Sequence, residues 1–202
     1  MKNVMNNKIT VIAIILSALL IIISITFIKK PNLTDTEKFY KEYTLVSSDN
    51  VFVYKSAEEI INLMEHGTGV VFLGFPECPW CQYYVRYLNE VAIEVGIDKI
   101  YYYNIKKDRD KNTDSYKKMV SILEDFLQYD DNGVKRIYVP NVSFHVNGEL
   151  IGVDYETAYT TLGLEEPYMY WTDEAIENFK QKLYEPMYKV KYNMSVCTEC
   201  NK

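Results

Sequence analysis

An uninterrupted apolar run, GVVFLGF at 69–75, leads within three residues into Cys78-Pro79-Trp80-Cys81. A run without alternation is the pattern of a strand buried on both faces, as at the centre of an α/β sheet. Beyond the cysteines, Tyr84, Leu88, Val91 and Val95 recur at i, i+4, i+7 and i+11. That spacing predicts an amphipathic helix from about Pro79 to Val95, ended by Gly96. A central strand feeding directly into a long helix confines the chain to layered α/β architectures.

The flanking sequence repeats the alternation. VFVYKS (51–56) reads as a short strand, and Ser56 with Glu59 forms a capping box that opens a helix carrying Ile60, Leu63 and Met64. Gly67 and Gly69 stop that helix, and KIYYYNI (99–105) is the next strand. The order strand, helix, strand, helix, strand predicts parallel pairing. Residues 106–137 begin as a charged loop and hold one more helix, with Met119, Ile122, Leu123, Phe126 and Leu127 on one face. YVPNVSFHVNGELIGV (138–153) gives two apolar runs joined by Asn147-Gly148, a strong hairpin signal. A last helix is expected from Thr172 to about Tyr184, stopping before Pro186.

The position of Cys78 decides its chemistry. It sits where a buried strand ends and a helix begins, with Pro79 at the first helical position, where a missing N–H costs nothing. Its sulfur therefore faces unpaired backbone donors at the positive end of a helix dipole, and both favour thiolate, the nucleophilic form. Cys81, one turn on, can close or reopen a disulfide with it. Inert core cysteines have no reason to start a helix. His66, at a helix end, and His145, on a strand, read as structural rather than as acid–base groups. The nineteen tyrosines could form an adhesive surface or line half-buried strands and helix flanks.

The ends of the chain read differently. Ile9 to Ile28 is twenty residues without charge or proline, long enough as a helix to span roughly 30 Å. It is expected to be a transmembrane signal anchor. Residues 1–8 then form a short tail, 29–50 a polar tether, 51–187 the folded domain and 188–202 a C-terminal tail. This layout places the domain on the extracytoplasmic side of a cell membrane, in a single-pass arrangement, with lipid contacting residues 9–28. The chain has 22 basic and 28 acidic residues, and residues 1–30 hold four lysines and no acid, leaving a formal −10 on the remainder. Such a domain is repelled by nucleic acid phosphates.

The strand, the Cys78-Pro79-Trp80-Cys81 helix start and the later Val139-Pro140 before a hairpin resemble the thioredoxin superfamily over about residues 51–185. The anchored layout resembles the membrane-tethered thioredoxin-like proteins of Gram-positive bacteria, including those labelled bacteriocin transport accessory proteins. The resemblance implies a thioredoxin-like fold, a central mixed sheet flanked by helices, here behind an N-terminal transmembrane helix. It also implies a cis Val139-Pro140 bond beside the dithiol, neighbouring backbone that pairs with substrate, and Pro79 and Trp80 supporting the site. Two departures stand out. Phe72 occupies the place of the buried aspartate six positions before the first cysteine, and Pro79-Trp80 is closest to the glutaredoxin Pro-Tyr, so the motif does not assign a direction of electron flow.

The expected function is thiol–disulfide exchange with protein thiols or disulfides, catalysed by Cys78 and Cys81 without a cofactor, with a membrane redox partner as a further expectation. An accessory protein of a secretion or bacteriocin-export system, using the fold without turnover, is the alternative. A zinc protein using Cys78, Cys81, Cys197 and Cys200 is a third reading, disfavoured by the long gap between the pairs. Cys197 and Cys200 otherwise form a second redox pair or a local disulfide.

Overall fold

The protein is described by a computed structural model covering Ile15, residues 33–155, Leu164 and residues 166–199, with side chains through residue 194. The chain divides into two compact units, Met1–Thr34 and Asp35–Lys202. The second unit carries the sheet and its helices.

In chain order its elements are α1 (Asp35–Glu42), β1 (Phe52–Tyr54), α2 (Ala57–His66), β2 (Gly69–Gly74), α3 (Pro79–Val95), β3 (Ile100–Asn104), α4 (Lys106–Lys111) and α5 (Asp114–Leu123). They continue with β4 (Gln128–Tyr129), β5 (Lys135–Arg136), β6 (Asn141–Val146), β7 (Glu149–Asp154), α6 (Pro167–Tyr170) and α7 (Asp173–Glu199). The main sheet runs β1-β3-β2-β6-β7. β3 pairs in parallel with β1 and β2, while β6 is antiparallel to both β2 and β7. A mixed sheet flanked by helices in this way is compatible with a thioredoxin-like fold.

Among the described residues no helix is long and apolar enough to cross a membrane. The longest, the 27-residue α7, carries charged side chains through most of its turns. The expected fold class, a domain behind a transmembrane helix, is therefore corrected to an α/β domain with a mixed sheet and flanking helices. Residues 9–28, on which that expectation rested, lie outside the described residues apart from Ile15.

All six residues of β2 are buried, as its unbroken apolar run requires. One side of the sheet packs Val70, Phe72 and Tyr102 with Leu88, Val91, Leu183 and Met187. The other packs Val71 and Leu73 with Ile60, Met64, Tyr116 and Met119. Phe72 sits among rings, 5.7 Å from Tyr102, 5.9 Å from Phe52 and 6.0 Å from Tyr84 between centroids. The capping box forms as expected: Glu59 N–H donates to Ser56 Oγ, and Ser56 N–H donates to the Glu59 carboxylate at 2.8 Å. At the β6–β7 turn Asn147 and Gly148 both have positive φ, 51° and 81°, which a two-residue primed turn demands. A Cβ on Gly148 would also stand 2.0 Å from the Glu65 carbonyl oxygen.

Several stretches differ from the sequence-based expectation, among them residues 106–111, read as part of a charged loop, which form α4. Residues 29–50, read as a polar tether, contain α1, whose buried Phe39 stacks on Phe52 at 3.9 Å and on Tyr43 at 4.3 Å. The last helix does not stop before Pro186 but continues through it to Glu199. A proline inside a helix costs about 3 kcal/mol. Continuation buries Met187 and Val190 completely, worth about 1.5–3 kcal/mol each, so tertiary packing offsets the local penalty.

Candidate active site

β2 delivers the chain to the site and α3 receives it. Phe75-Pro76-Glu77 turns between them, with Cys78 N–H donating to the Phe75 carbonyl at 3.1 Å. Cys78 is the N-cap of α3 and Pro79 its first residue. An N-cap ordinarily satisfies a free backbone donor with a side-chain oxygen; here the acceptor is sulfur, the Cys81 N–H donating to Cys78 Sγ at 3.3 Å.

The two cysteines are free thiols in unlike surroundings. Cys78 keeps 8% of its surface, whereas Cys81 has none. The hydrogen bond with the Cys81 thiol is the main influence holding the Cys78 pKa below the ordinary thiol value. Burial opposes it, and the backbone N–H groups of Cys81 and Trp80 and the charge of Arg109 reinforce it. Burial pushes the Cys81 thiol well up, and its hydrogen bond with Cys78 and the charge there push the same way. The pair thus separates into one thiol that ionises more readily than usual and one held protonated.

Gly74 makes room for this arrangement. A Cβ there would lie 2.5 Å from Phe72 Cζ and 3.3 Å from Cys81 Sγ, so no larger residue fits without displacing a ring of the core.

The remaining expected site residues come from distant parts of the chain. The Val139–Pro140 bond is cis, and the Val139 carbonyl oxygen stands 3.9 Å from Cys78 Sγ. Trp80 is partly buried, edge-on to Tyr170 of α6 with centroids 6.1 Å apart. Cys197 falls on the last turns of α7, and Cys200 lies outside the described residues. Their expected role as a second pair is therefore not placed. Among the described residues no group of three or more His, Cys, Asp or Glu side chains could hold a metal ion. His145 pairs with Gly69 at the end of β2 remote from the cysteines. Of the tyrosines, Tyr43, Tyr84 and Tyr102 are wholly buried, while Tyr129, Tyr168, Tyr188 and Tyr192 are each more than half exposed.

Two side chains that sequence reasoning passed over complete the site. Gln82 Nε2 donates to the carbonyls of Pro76 at 2.8 Å and Glu42 at 2.9 Å, and its Oε1 accepts from Thr44 N–H at 2.9 Å. It ties the turn before Cys78 to the end of α1. Arg109, with 13% of its side chain exposed, lies 5.0 Å from the Phe75 ring centroid. Its buried Nε has no hydrogen-bond partner. Neither is legible in the sequence, since each matters only through a partner far off along the chain.

No protein-family model matches the chain, and no match is found among curated proteins. What stands is an α/β domain with a mixed sheet and a pair of free thiols at a helix start.

Proposed function

We propose that this protein is a thiol–disulfide oxidoreductase of the thioredoxin superfamily, acting on protein disulfides through Cys78 and Cys81. One observation carries the reading: Cys78 Sγ caps α3, accepting the Cys81 N–H, while the partner thiol is sealed beneath it. Backbone donors and a helix N-terminus stabilise a thiolate that still reaches the surface.

In the reducing direction, Cys78 thiolate attacks one sulfur of a substrate disulfide. A Cys78–substrate S–S bond forms, and the second substrate sulfur leaves as a thiolate that takes up a proton. Cys81 then loses its proton and attacks Cys78 Sγ. The Cys78–Cys81 disulfide forms, the first substrate thiol departs, and two electrons have passed to the substrate. Run backwards, the same steps oxidise a substrate dithiol. The elevated pKa of Cys81 suits this order, because the second thiol stays silent until the first is consumed.

The test is capture of the intermediate. The full chain carrying Cys81→Ser, mixed with a disulfide-bonded protein, is expected to accumulate a covalent adduct at Cys78 that disappears on adding dithiothreitol. No adduct, under conditions where the parent chain turns substrate over, contradicts the two-step scheme.

A further inference from the structure

Beside the dithiol, α4 presents a concentration of positive charge in an otherwise acidic protein. Its sequence KKDRDK supplies Lys106, Lys107, Arg109 and Lys111 within six residues. This helix is joined to the site through the ring of Phe75, the residue whose carbonyl holds the Cys78 N–H. Lys106 Nζ lies 5.8 Å and the Arg109 guanidinium 5.0 Å from the centroid of that ring. Arg109 is also the cation whose charge acts on both thiols.

The acids of the neighbourhood are largely committed. Asp110 pairs with Lys106 at 2.7 Å and is approached by Arg109 at 3.9 Å. Asp108 accepts the Tyr103 hydroxyl. Glu77, exposed and adjacent to Cys78, is the one acid in the turn before the dithiol. Lys107 and Lys111 are exposed and border an open depression together with Asn104, Lys106 and Asp110. Arg136 on β5 bears on both Asp110 and Asp130, and its guanidinium lies 5.7 Å from the ring of Tyr138, the residue before Val139. Cations therefore flank the nucleophile on α4 and on the approach to the Val139–Pro140 bond.

We infer that the preferred substrate is a polypeptide whose disulfide is flanked by acidic residues, which dock against Lys107, Lys111 and Arg136 while Cys78 reaches the sulfur. The inference rests on the exchange reading and specifies its substrate. The chain carries a formal charge of −6, so a local group of cations beside the thiols both attracts an acidic client and orients it. Exposed charges act over about one Debye length, roughly 10 Å at 0.1 M salt, so acids within two or three residues of the substrate cysteine are the ones that count.

The experiment measures kcat/KM of the full chain, with dithiothreitol as the thiol reductant that returns the Cys78–Cys81 disulfide to the dithiol, for three peptides of one length, each with a single disulfide flanked by Glu, by Gln or by Lys. At low salt the Glu peptide is expected to exceed the Gln peptide severalfold, and the Lys peptide to be the poorest. The differences should shrink to within about twofold at 0.5 M salt, where screening is nearly complete. Lys107→Glu combined with Lys111→Glu should lower the Glu-to-Gln ratio at low salt, and the salt series stands independently if that variant is unstable. Equal rates for the three peptides, or a Lys preference, overturn the inference alone. Absence of turnover with all three overturns the exchange reading and this inference with it.

Discussion

Cys78 Sγ lies 3.9 Å from the carbonyl oxygen of Val139, sixty-one residues further along the chain. The contact brings the start of α3 against the turn that enters β6, so Cys78 adjoins the backbone of the cis Val139–Pro140 bond.

The electrostatics of the pair predict a ranking. Thiolate, and with it the alkylation rate, rises with pH and reaches half its maximum at the pKa, so the midpoint for Cys78 should fall below the ordinary thiol value of about 8.5. The Cys81 thiol is the largest cause of the lowering and Arg109 a smaller one. Cys81→Ala should therefore raise the midpoint more than Arg109→Gln does. Iodoacetamide kinetics across pH 5 to 10 provide the check, and the reverse ranking refutes the assignment.

At the end of β2, Gly74→Ala forces a methyl to within 2.5 Å of Phe72 Cζ. Overpacking of this kind costs about 1–3 kcal/mol. Gly152 is the control, because a Cβ there meets neighbours at 3.6 and 3.8 Å, ordinary contact distances. Urea denaturation should show a clear loss for Gly74→Ala and less than about 0.5 kcal/mol for Gly152→Ala.

Gln82 is predicted to hold α1 against the active-site turn. Removing its side chain in Gln82→Ala leaves the Pro76 and Glu42 carbonyls without their donor, at a cost of about 1–3 kcal/mol. Hydrogen exchange should quicken selectively at the α1 amides. Uniform acceleration across the domain would mean that Gln82 contributes only to global stability.

Burial lowers the pKa of His145 to about 4, against about 6.5 in an unfolded chain. The unfolded state therefore binds a proton more readily, and stability present above pH 6.5 is lost as pH falls toward 4. The shift corresponds to about 3 kcal/mol in all. His145→Gln removes this titration, so the difference between its urea midpoints at pH 7 and pH 5 should be smaller than in the parent. An unchanged difference would place the acid sensitivity elsewhere.

What could be read from the sequence was whatever depends on neighbours in the chain. The burial of β2 followed from its unbroken apolar run, the start of α2 from Ser56 and Glu59, and the β6–β7 turn from Asn147-Gly148. The helix start at Cys78 followed from Pro79. Long-range packing hid the rest. α1 is eight residues long, too short for periodicity to speak, and it exists because Phe39 finds Phe52 across the sheet edge. α7 survives Pro186 because Met187 and Val190 have a core to enter. The KKDRDK segment looks like any solvated loop until the fold sets it against Phe75.

Whether Cys78 is the attacking nucleophile in disulfide exchange is decided by reduction of insulin with dithiothreitol in the presence of the full chain, parent and Cys78→Ser side by side. Catalysis is expected from the parent, and from Cys78→Ser a rate no higher than that of dithiothreitol alone. Catalysis by Cys78→Ser equal to that of the parent would contradict the assignment.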